Sequence, residues 1–336
     1  MQGQYPLGKL PAEHLARLFA RYLSTDERVV IGPGIGHDAA VISFDDRYLV
    51  AKTDPITFAT DEIGWYAVHV NANDVACTGA TPRWFLATLL LPQSSTDEAL
   101  VDEVFEQMAD TCEALGITLV GGHTEITHGF DRPIVTGFML GEVAPENLVR
   151  PDGARPGDTL LLTKGIAVEG TAIIAREKGD RLNAVDRSLL KRSREFLHDP
   201  GISVVQEAAV ATTTGKVHAM HDPTEGGLAT GLWELADAAH VGLIVEQDAI
   251  PVLPETKVLC EMLDLNPLGL IASGALLLAV PPEDAAGIER ALEEEGITAA
   301  RIGQVVERDE GVTLRSRDDI RPLPRFDQDE ITRLFA

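Results

Sequence analysis

The sequence predicts a mixed α/β fold in two domains. The chain has 336 residues, of which 45% are hydrophobic, and this is enough apolar material for two cores. Helical and strand-like segments follow one another in both halves, as in layered α/β domains. Between the halves, residues 151–158 (PDGARPGD) concentrate Pro, Gly and Asp without periodicity, as linkers do. We therefore expect one domain over residues 1–150 and a second over residues 156–336.

The first domain is expected to open with a helix followed by a β-hairpin. Apolar residues recur with i, i+3, i+4, i+7 spacing after Pro11, which suits the first turn of a helix. Residues 39–44 and 48–52 then predict two strands joined by a short turn. Such a hairpin brings Asp38 and Asp54, which bracket it, close together in space.

The rest of the chain continues this mixed pattern. A helix is expected over residues 62–78, and Ser95 and Glu98 form a capping-box pair ahead of a strongly amphipathic helix. Further strands are expected at 83–91, 117–127, 133–143, 159–165, 216–220, 243–247, 275–280 and 301–306, and further helices at 227–239, 254–263 and 283–295.

The strong negative charge limits the partners of the protein. The 53 Asp and Glu residues against 28 Lys and Arg residues give a net charge of -25, which repels nucleic acid and anionic membrane surfaces. A nucleotide can still bind such a chain if a divalent cation stands between carboxylate and phosphate. A solvated acidic surface is the alternative explanation for most of the excess.

The cysteines indicate a reducing compartment. Cys77, Cys112 and Cys260 are far apart and lie in helix-like sequence, which fits neither a disulfide framework nor a zinc site. No basic and apolar leader precedes Pro11, and apolar runs such as residues 275–280 are too short to span a bilayer. We therefore expect a cytoplasmic protein without a membrane anchor.

Four short segments carry the functional signal. Each places one aspartate at or near the end of an apolar stretch, where strands and helices expose their termini. Carboxylates gathered in this way suit Mg²⁺, and Mg²⁺ suits ATP. Each segment alone is also explained by a loop or a helix cap, so the prediction rests on all four. They are GIGHDAAV (34–41) with Asp38, KTDP (52–55) with Asp54, NANDVA (71–76) with Asp74 and HDPTEGGL (221–228) with Asp222.

The first and third segments differ in kind. The glycines at 32, 34 and 36 permit a ligand to approach backbone N–H groups, but they match neither a Rossmann fingerprint nor a P-loop. Asn73 and Asp74 fall within an otherwise apolar helix, where a buried carboxylate is costly without a partner. A helix-surface position or a capping role is the alternative for this pair.

Two further turns place polar groups at the ends of elements. Residues 121–125 (GGHTE) predict a polar turn at a strand edge, in which His123 is a base, a ligand or a surface histidine. Asp222 and Thr224 precede the helix expected from Gly227, whose N-terminus favours an anion or a Mg²⁺-bound phosphate. The alternative is that these two residues only cap that helix.

The order of the motifs closely resembles a known superfamily. GIGHDAAV, TDP, VNANDVACTGATPRWFLATLLLP, LVGGHTEIT, HDPTEGGLATGLWELA and SGALLLAVPPEDA follow one another as in the superfamily of aminoimidazole ribonucleotide (AIR) synthetase, selenophosphate synthetase, thiamine-monophosphate kinase and the hydrogenase-maturation protein HypE. The likeness covers roughly residues 10–310, and the second half looks most like HypE.

The resemblance implies a PurM-like fold, in which N-terminal strands pair with a second subunit into a barrel-like homodimer core and a C-terminal α/β domain follows. It also implies that ATP lies in a groove of the dimer, its phosphates held through Mg²⁺. Together with the residues singled out above, this predicts Asp38, Asp54, Asp74 and Asp222 as metal ligands, Gly36, Asn73, Gly121, Gly122, Thr124, Thr224, Gly226 and Gly227 as nucleotide contacts, and His123 and Asp222 as catalytic residues.

The chain also departs from this pattern. Many relatives carry an acid where this chain has His37, and Glu125 and Glu225 stand where HypE usually has basic residues, which removes positive charge near the expected phosphates. HypE dehydrates a carbamoylated cysteine at its own C-terminus, whereas the last cysteine here is Cys260, in a helix-like run typical of a core residue. Self-modification by that route is therefore not expected.

These observations predict an ATP- and Mg²⁺-dependent enzyme that phosphorylates or activates an amide-type or carboxamide-type oxygen of a separate small molecule or protein partner. Such chemistry relies on positioning and on charge neutralisation. One alternative is a small-molecule kinase resembling thiamine-monophosphate kinase. Another is a nucleotide-binding maturation or scaffold protein without turnover.

Overall fold

Strands and helices alternate through the part of the chain that the computed structural model describes, which comprises residues 5, 10–24, 26–34, 36–57, 61–182, 185–317 and 319–335. The predicted mixed α/β fold in two layered halves is confirmed. Strands up to residue 143 form one sheet, and strands from residue 159 onward form another. The proposed domain limits, 1–150 and 156–336, agree with this division but stay a prediction.

The first sheet has the strand order β1-β2-β3-β6-β4-β5. Its neighbouring strands are antiparallel, except that β4 and β5 are parallel. The elements of this half are α1 (Ala12–Tyr22), β1 (Val29–Ile31), β2 (Ala40–Phe44), β3 (Arg47–Ile56), α2 (Ile63–Ala76), β4 (Thr81–Pro92), α3 (Glu98–Ala114), β5 (Thr118–Thr127) and β6 (Ile134–Val143).

Helices α2 and α3 cover one face of this sheet. Phe85 and Leu89 of β4 and Met139 of β6 form a buried core with apolar side chains of both helices, such as Val104 and Met108 of α3. The alternating burial along β4 agrees with a sheet that packs on one face. The sheet therefore has one face buried under helices and one face less covered.

The β2–β3 hairpin forms as expected, but two local predictions are wrong. Strand β3 extends to Ile56 and so contains Asp54, which was expected to follow the strand. Helix α3 begins at Glu98, and its N-cap is Asp97, whose side chain accepts a hydrogen bond from the Leu100 N–H. Asp97 therefore performs the capping that was assigned to Ser95.

Residues 121–125 form no turn, because β5 runs without interruption from Thr118 to Thr127 along the edge of the sheet. Gly122 permits this pairing, since a Cβ atom there would lie 1.9 Å from the carbonyl oxygen of Ala87 in β4. The glycines thus belong to a close strand pair, and the polar residues after them lie along an exposed edge.

The second sheet has the strand order β13-β12-β9-β11-β7-β10-β8, with β9 and β12 parallel and the other neighbours antiparallel. The elements of this half are β7 (Thr159–Thr163), α4 (Val168–Glu177), α5 (Arg187–Glu195), α6 (Val205–Thr214), β8 (Ala219–His221), α7 (Gly227–Ala239), β9 (Gly242–Glu246), α8 (Pro254–Leu263), β10 (Leu277–Val280), α9 (Pro282–Glu294), β11 (Ala299–Val306), β12 (Val312–Arg315) and β13 (Ile320–Pro322).

Helices cover both faces of this second sheet. Leu228 and Leu232 of α7 pack with Leu160 and Leu162 of β7 on one side. Residues of α6 and α9 pack with Leu161 and with β10 on the other. Because successive strand residues point to opposite faces, the continuous apolar run in β7 supplies both cores, and β7 lies inside the sheet between β11 and β10.

Helix α2 belongs to the first half but also packs against the second. Tyr66 joins a buried cluster with Phe196 and Ile202. One turn from the helix end, the Asn73 side-chain amide donates to the Ile202 carbonyl at 2.8 Å, and its oxygen accepts from the Val204 N–H at 2.9 Å. These bonds fix the second half against α2.

None of the helices in the described ranges is long and apolar enough to cross a membrane.

Candidate functional site

A buried histidine connects the two halves at the end of β8. His221 is only 7% exposed. Its Nδ1 lies 3.0 Å from Oδ2 of Asp38, in the loop before β2, and its Nε2 lies 2.9 Å from Oε2 of Glu234 in α7. Burial alone lowers the pKa of His221, but the two carboxylates raise it well above its usual value. His221 is therefore an imidazolium that donates one N–H to each carboxylate.

Asp222 lies in a compact group with Asp38 and His221, in which the two carboxylates are the possible metal ligands because an imidazolium has no free lone pair. One donor atom each from Asp38, His221 and Asp222 lie within 4.8 Å of one another. Burial, with the nearby Asp38 charge, raises the pKa of Asp222 to about 7, while His221 and Lys52 oppose the shift. Because ionised carboxylates this close repel each other, a divalent cation with oxygen ligands would stabilise them.

Lys52 of β3 lies between the other two predicted aspartates. Its Nζ is 2.9 Å from Oδ2 of Asp74 in α2 and 3.2 Å from Oδ2 of Asp54. Burial acts to lower the pKa of Lys52, but the two carboxylates reverse this and raise it. For Asp74, burial raises the pKa and Lys52 opposes that rise. The costly carboxylate within the apolar helix α2 thus has a cationic partner.

The same helix supports the site with two more polar side chains. The Cys77 thiol, just after α2, donates to Oδ1 of Asp222 at 3.5 Å, and burial raises the pKa of that thiol, so the proton stays in place. Asn71 accepts a hydrogen bond from the Asp54 N–H at 2.8 Å and donates to the Ala67 carbonyl. The thiol thus orients the Asp222 carboxylate, and Asn71 fixes the backbone at Asp54.

The four aspartates accordingly form two adjoining pairs. Asp38 and Asp222 lie around His221, and Asp54 and Asp74 lie around Lys52. The carboxylates of the first pair raise the pKa of Asp74, so the two pairs interact electrostatically. Two cations among four carboxylates leave negative charge at the junction of the halves.

Comparison with known proteins identifies the family of this chain. Residues 36–143 match the N-terminal domain of AIR synthase related proteins, and residues 155–315 match their C-terminal domain. The chain is 32% identical over 273 residues to the carbamoyl dehydratase HypE of Cupriavidus necator, covering 80% of this chain and 74% of that protein. The chain belongs to the AIR synthase related protein family.

Solved structures of the AIR synthase related family share the fold. A crystal structure of the hydrogenase maturation protein HypE in complex with ATP has a TM-score of 0.69 and 27% identity, with 94% of this chain and 96% of that chain covered. The thiamine monophosphate kinase of Aquifex aeolicus has a TM-score of 0.65 at 22% identity, with 82% and 90% covered. The second likeness concerns the fold alone.

In this member of the family, the loop after β8 places further predicted residues beside Asp222. Thr224 offers its carbonyl to the N–H groups of Gly227 and Ala272. Neither Asp222 nor Thr224 caps α7, whose N-cap is Gly226, so the capping alternative is wrong. Gly227 has a φ of +63°, and a Cβ atom there would lie 2.6 Å from the Leu268 carbonyl oxygen. The glycines therefore allow this loop to pack tightly.

Gly36 and Asn73 have structural contacts of their own. A Cβ atom on Gly36 would lie 3.2 Å from the carbonyl oxygen of Glu234, so the loop before β2 packs against α7. Both polar atoms of the Asn73 amide bond to the backbone around residue 203. A nucleotide contact by either residue stays a prediction.

The predicted site residues between 121 and 125 differ from the buried carboxylates because they are exposed. His123 has a side chain that is 68% exposed, and its Nε2 is 3.5 Å from Oε2 of Glu125. Gly121, Gly122 and Thr124 share the same exposed edge strand. Roles for them in catalysis or nucleotide binding stay predictions.

Sequence reasoning missed three residues of the site. Lys52 and His221 were inside the quoted motifs, two residues before Asp54 and directly before Asp222, yet neither was assigned a role. Glu234 was counted only as part of a helix. A signal was present, since each cation lies within two residues of a chosen aspartate, but the partners of His221 lie 183 and 13 residues away.

Proposed function

We propose that this protein is an ATP- and Mg²⁺-dependent enzyme that phosphorylates or activates an amide-type or carboxamide-type oxygen of a separate substrate or protein partner. The observation that carries the proposal is the meeting of Asp38 and Asp222, from different halves of the chain, at a buried group of possible metal donors. The relatives named carbamoyl dehydratase HypE and the HypE structure in complex with ATP support it.

The donor set fits Mg²⁺. Carboxylate oxygens are the ligands Mg²⁺ prefers, and Asp38 and Asp222 would hold the ion, while the Nδ1–H of His221 is already donated to Asp38. When bound, Mg²⁺ neutralises phosphate charge and orients ATP. Asp54 and Asp74 remain predicted ligands, and Gly36, Gly121, Gly122, Thr124, Thr224, Gly226 and Gly227 remain predicted nucleotide contacts.

The protein's own residues position and balance charge. Lys52 forms an ion pair with both Asp74 and Asp54 and so offsets the repulsion between these two carboxylates. His221 holds Asp38 beside Asp222, and the Cys77 thiol fixes one oxygen of Asp222. Pre-positioned groups of this kind supply most of the rate enhancement in phosphoryl transfer.

A separate substrate agrees with the state of the cysteines. Cys77, Cys112 and Cys260 are all buried, and burial raises the pKa of each thiol. Buried, protonated thiols are poor nucleophiles. The three cysteines are therefore not suited to carry the reacting group, and a different molecule would do so.

A homodimer is part of the proposal. Among the described strands, β5 lies at the edge of its sheet, with Val120 50% and Ile126 58% exposed, and Phe138 on β6 is 42% exposed. Edges and apolar patches of this kind pair with another chain. Ile126→Lys is expected to turn the dimer into monomer in sedimentation velocity, while Phe44→Lys, on the hairpin, leaves it intact. A monomeric wild-type protein would refute the dimer.

Calorimetry with Mg²⁺ and a nonhydrolysable ATP analogue tests the site. Asp38→Asn and Asp222→Asn should each weaken binding about a hundredfold, since one carboxylate–metal contact is worth a few kcal/mol. Asp158→Asn, at a buried carboxylate that pairs with His218, is the control and should bind normally. Unchanged affinity in both site variants would show the assignment to be wrong.

Phosphorus NMR of reaction mixtures identifies the chemistry. Release of ADP and inorganic phosphate in the presence of a carboxamide substrate is the expected result. A stable phosphorylated product would instead indicate a small-molecule kinase. Nucleotide binding without any ADP release, across candidate substrates and partners, would favour a scaffold protein.

A further inference from the structure

A second group of carboxylates lies on the other side of the loop that carries Asp222. Four chain segments meet there through three hydrogen bonds. The Gly170 N–H of α4 donates to the Ile271 carbonyl at 3.1 Å, and the Ala272 N–H donates to the Thr224 carbonyl at 3.2 Å. The Gly226 N–H donates to Oδ2 of Asp329 at 2.7 Å. Glu169, Glu225 and Asp329 are thereby brought to one place.

Glu169 is the central residue of this group. It is 7% exposed, and its Oε2 has no hydrogen-bond partner among the residues that the structure describes. Burial raises the pKa of Glu169 to about 7, and the Asp329 and Glu225 carboxylates add to the rise, while the Ser273 hydroxyl opposes it. An unpaired buried carboxyl oxygen is costly for a fold, so a missing partner would explain its retention.

The other groups around Glu169 define the walls. Asp329 is held by the N–H groups of Gly226 and Ile331 and so is fixed in place. Tyr66 of α2 is 5% exposed, and burial together with the Glu169 charge raises the pKa of its hydroxyl. Tyr66 also packs in one buried cluster with Val168, the neighbour of Glu169, so residues from both halves of the chain border the group.

The chemistry of the group selects a cationic ligand. The charges of Asp329 and Glu225 that act on Glu169 are both negative. Within the described ranges, the donor atoms that converge to within 4.8 Å for a metal ion are those of Asp38, His221 and Asp222, not these. More widely spaced carboxylates suit the N–H groups of a guanidinium or ammonium group, which point in several directions.

We propose that Glu169, Glu225 and Asp329 form a binding site for a guanidinium or primary ammonium group of the small molecule on which the enzyme acts. Identifying that molecule as the substrate rests on the proposed function, whereas binding of the cationic group does not. The loop 222–226 joins this site to the proposed metal site, since Asp222 belongs to the metal-site group and the charge of Glu225 acts on Glu169. A substrate bound here lies next to the nucleotide end of the protein.

The test measures binding of butylguanidinium and of its neutral analogue N-butylurea, in buffer without nucleotide or Mg²⁺. Titration calorimetry should detect millimolar binding of butylguanidinium by the wild-type protein and none of N-butylurea. Glu169→Gln, which keeps the size of the side chain, should weaken butylguanidinium binding roughly tenfold, because one charged contact is lost. Glu225→Gln, at a half-buried position, should weaken it in the same direction.

Glu177→Gln is the matched control, because Glu177 lies on the same helix α4 but is exposed. It should leave butylguanidinium binding unchanged. Equal binding by the wild-type protein, Glu169→Gln and Glu225→Gln would overturn the proposal, as would equal binding of N-butylurea. Normal Mg²⁺ and nucleotide binding in Glu169→Gln would show that this site is separate from the Asp38–Asp222 site. The two site proposals can then be tested independently of each other.

Discussion

At the scale of single residues, His221 determines the charge of the site. It places one positive charge between two carboxylates, which a lone histidine in a sequence does not reveal. The aspartates drew attention because four acids in short motifs together indicate a metal site, although Asp54 and Asp74 lie inside β3 and α2 and not at their ends. Their cationic partners were not predictable, because a pair such as His221 and Asp38 depends on the relative placement of two sheets.

The first prediction concerns His221→Gln. The variant leaves Asp38 and Glu234 without their charged partner, and loss of one member of a buried pair costs about 3 kcal/mol of unfolding free energy. Because the folded state raises the pKa of His221, the wild-type stabilisation is complete below the unfolded pKa, near 6.5, and is lost as pH rises through the raised value.

Urea unfolding over a pH series checks this prediction. The gap between the wild-type protein and His221→Gln should be widest at pH 6 and should narrow at higher pH. His128→Gln, at an exposed histidine, should unfold like the wild-type protein at every pH. A gap that widens with pH would contradict the imidazolium assignment.

The second prediction concerns Asp222→Asn. In the folded protein, Asp222 has a pKa of about 7, raised from 3.8, so the destabilisation caused by its burial begins as pH rises above 3.8 and is complete only above about pH 7. A neutral amide at this position would avoid that cost, and the variant should gain on the order of 1 kcal/mol of stability at pH 8 and less at pH 5.

Melting curves in EDTA test the gain in stability of Asp222→Asn, and Mg²⁺ titrations test its loss of metal binding. Wild-type Mg²⁺ affinity should fall as pH drops below about 7, because the proton competes with the ion for Asp222. The variant should bind Mg²⁺ weakly at all pH values. Equal melting temperatures at pH 8 would speak against a raised pKa at Asp222.

At the scale of elements, α2 joins the two halves. Its existence was predictable from composition, and the presence of Asn73 and Asp74 in an apolar stretch correctly signalled polar groups that need partners. The partners themselves, Lys52 and the backbone at 202–204, come from other parts of the chain. A helical pattern identifies which face is buried but not what lies against it.

The third prediction tests this connection through Asn73→Ala. The substitution leaves the Ile202 carbonyl and the Val204 N–H without their partners in a buried place, which should cost about 2 to 3 kcal/mol. Thermal unfolding is the measurement, and Asn147→Ala, at an exposed position, is the control. A loss no larger than that of the control would mean that the bonds add little.

Strand β5 illustrates the opposite outcome for an element. Glycines followed by polar residues were interpreted as a turn, since glycine usually marks turns and bulges. Here Gly122 serves close approach of β5 to β4. Local sequence does not distinguish a glycine in a turn from a glycine that permits close strand pairing, because the difference depends on where the neighbouring strand lies.

At the scale of the whole molecule, the layered architecture was the most predictable property. The alternation of helices and strands, a linker-like segment and the apolar runs suffice to predict two layered α/β domains. The site is less predictable because it lies where the layers meet, between the end of β8 and the loop before β2. Its donors are 184 residues apart (222 - 38), so only the docking of the halves brings them together.

The fourth prediction concerns the net charge of -25. Self-repulsion destabilises a compact state, and salt screens it. The melting temperature should therefore rise by several degrees between about 10 mM and 500 mM KCl. Millimolar Mg²⁺ should raise it beyond KCl of equal ionic strength in the wild-type protein but not in Asp222→Asn. Equal Mg²⁺ effects in both proteins would indicate general screening only.

Because Asp38 and Asp222 come from different halves of the chain, the site is sensitive to the radius of the ion that it binds. Mg²⁺ requires oxygens at about 2.0 to 2.1 Å, whereas Ca²⁺ accepts about 2.3 to 2.6 Å and more ligands. Since Asp38 and Asp222 are anchored in different halves, longer metal–oxygen bonds would act against the hydrogen bonds that fix the second half to α2. Ca²⁺, the larger ion, would hold the halves further apart and so would misalign any groups that must meet where the halves join.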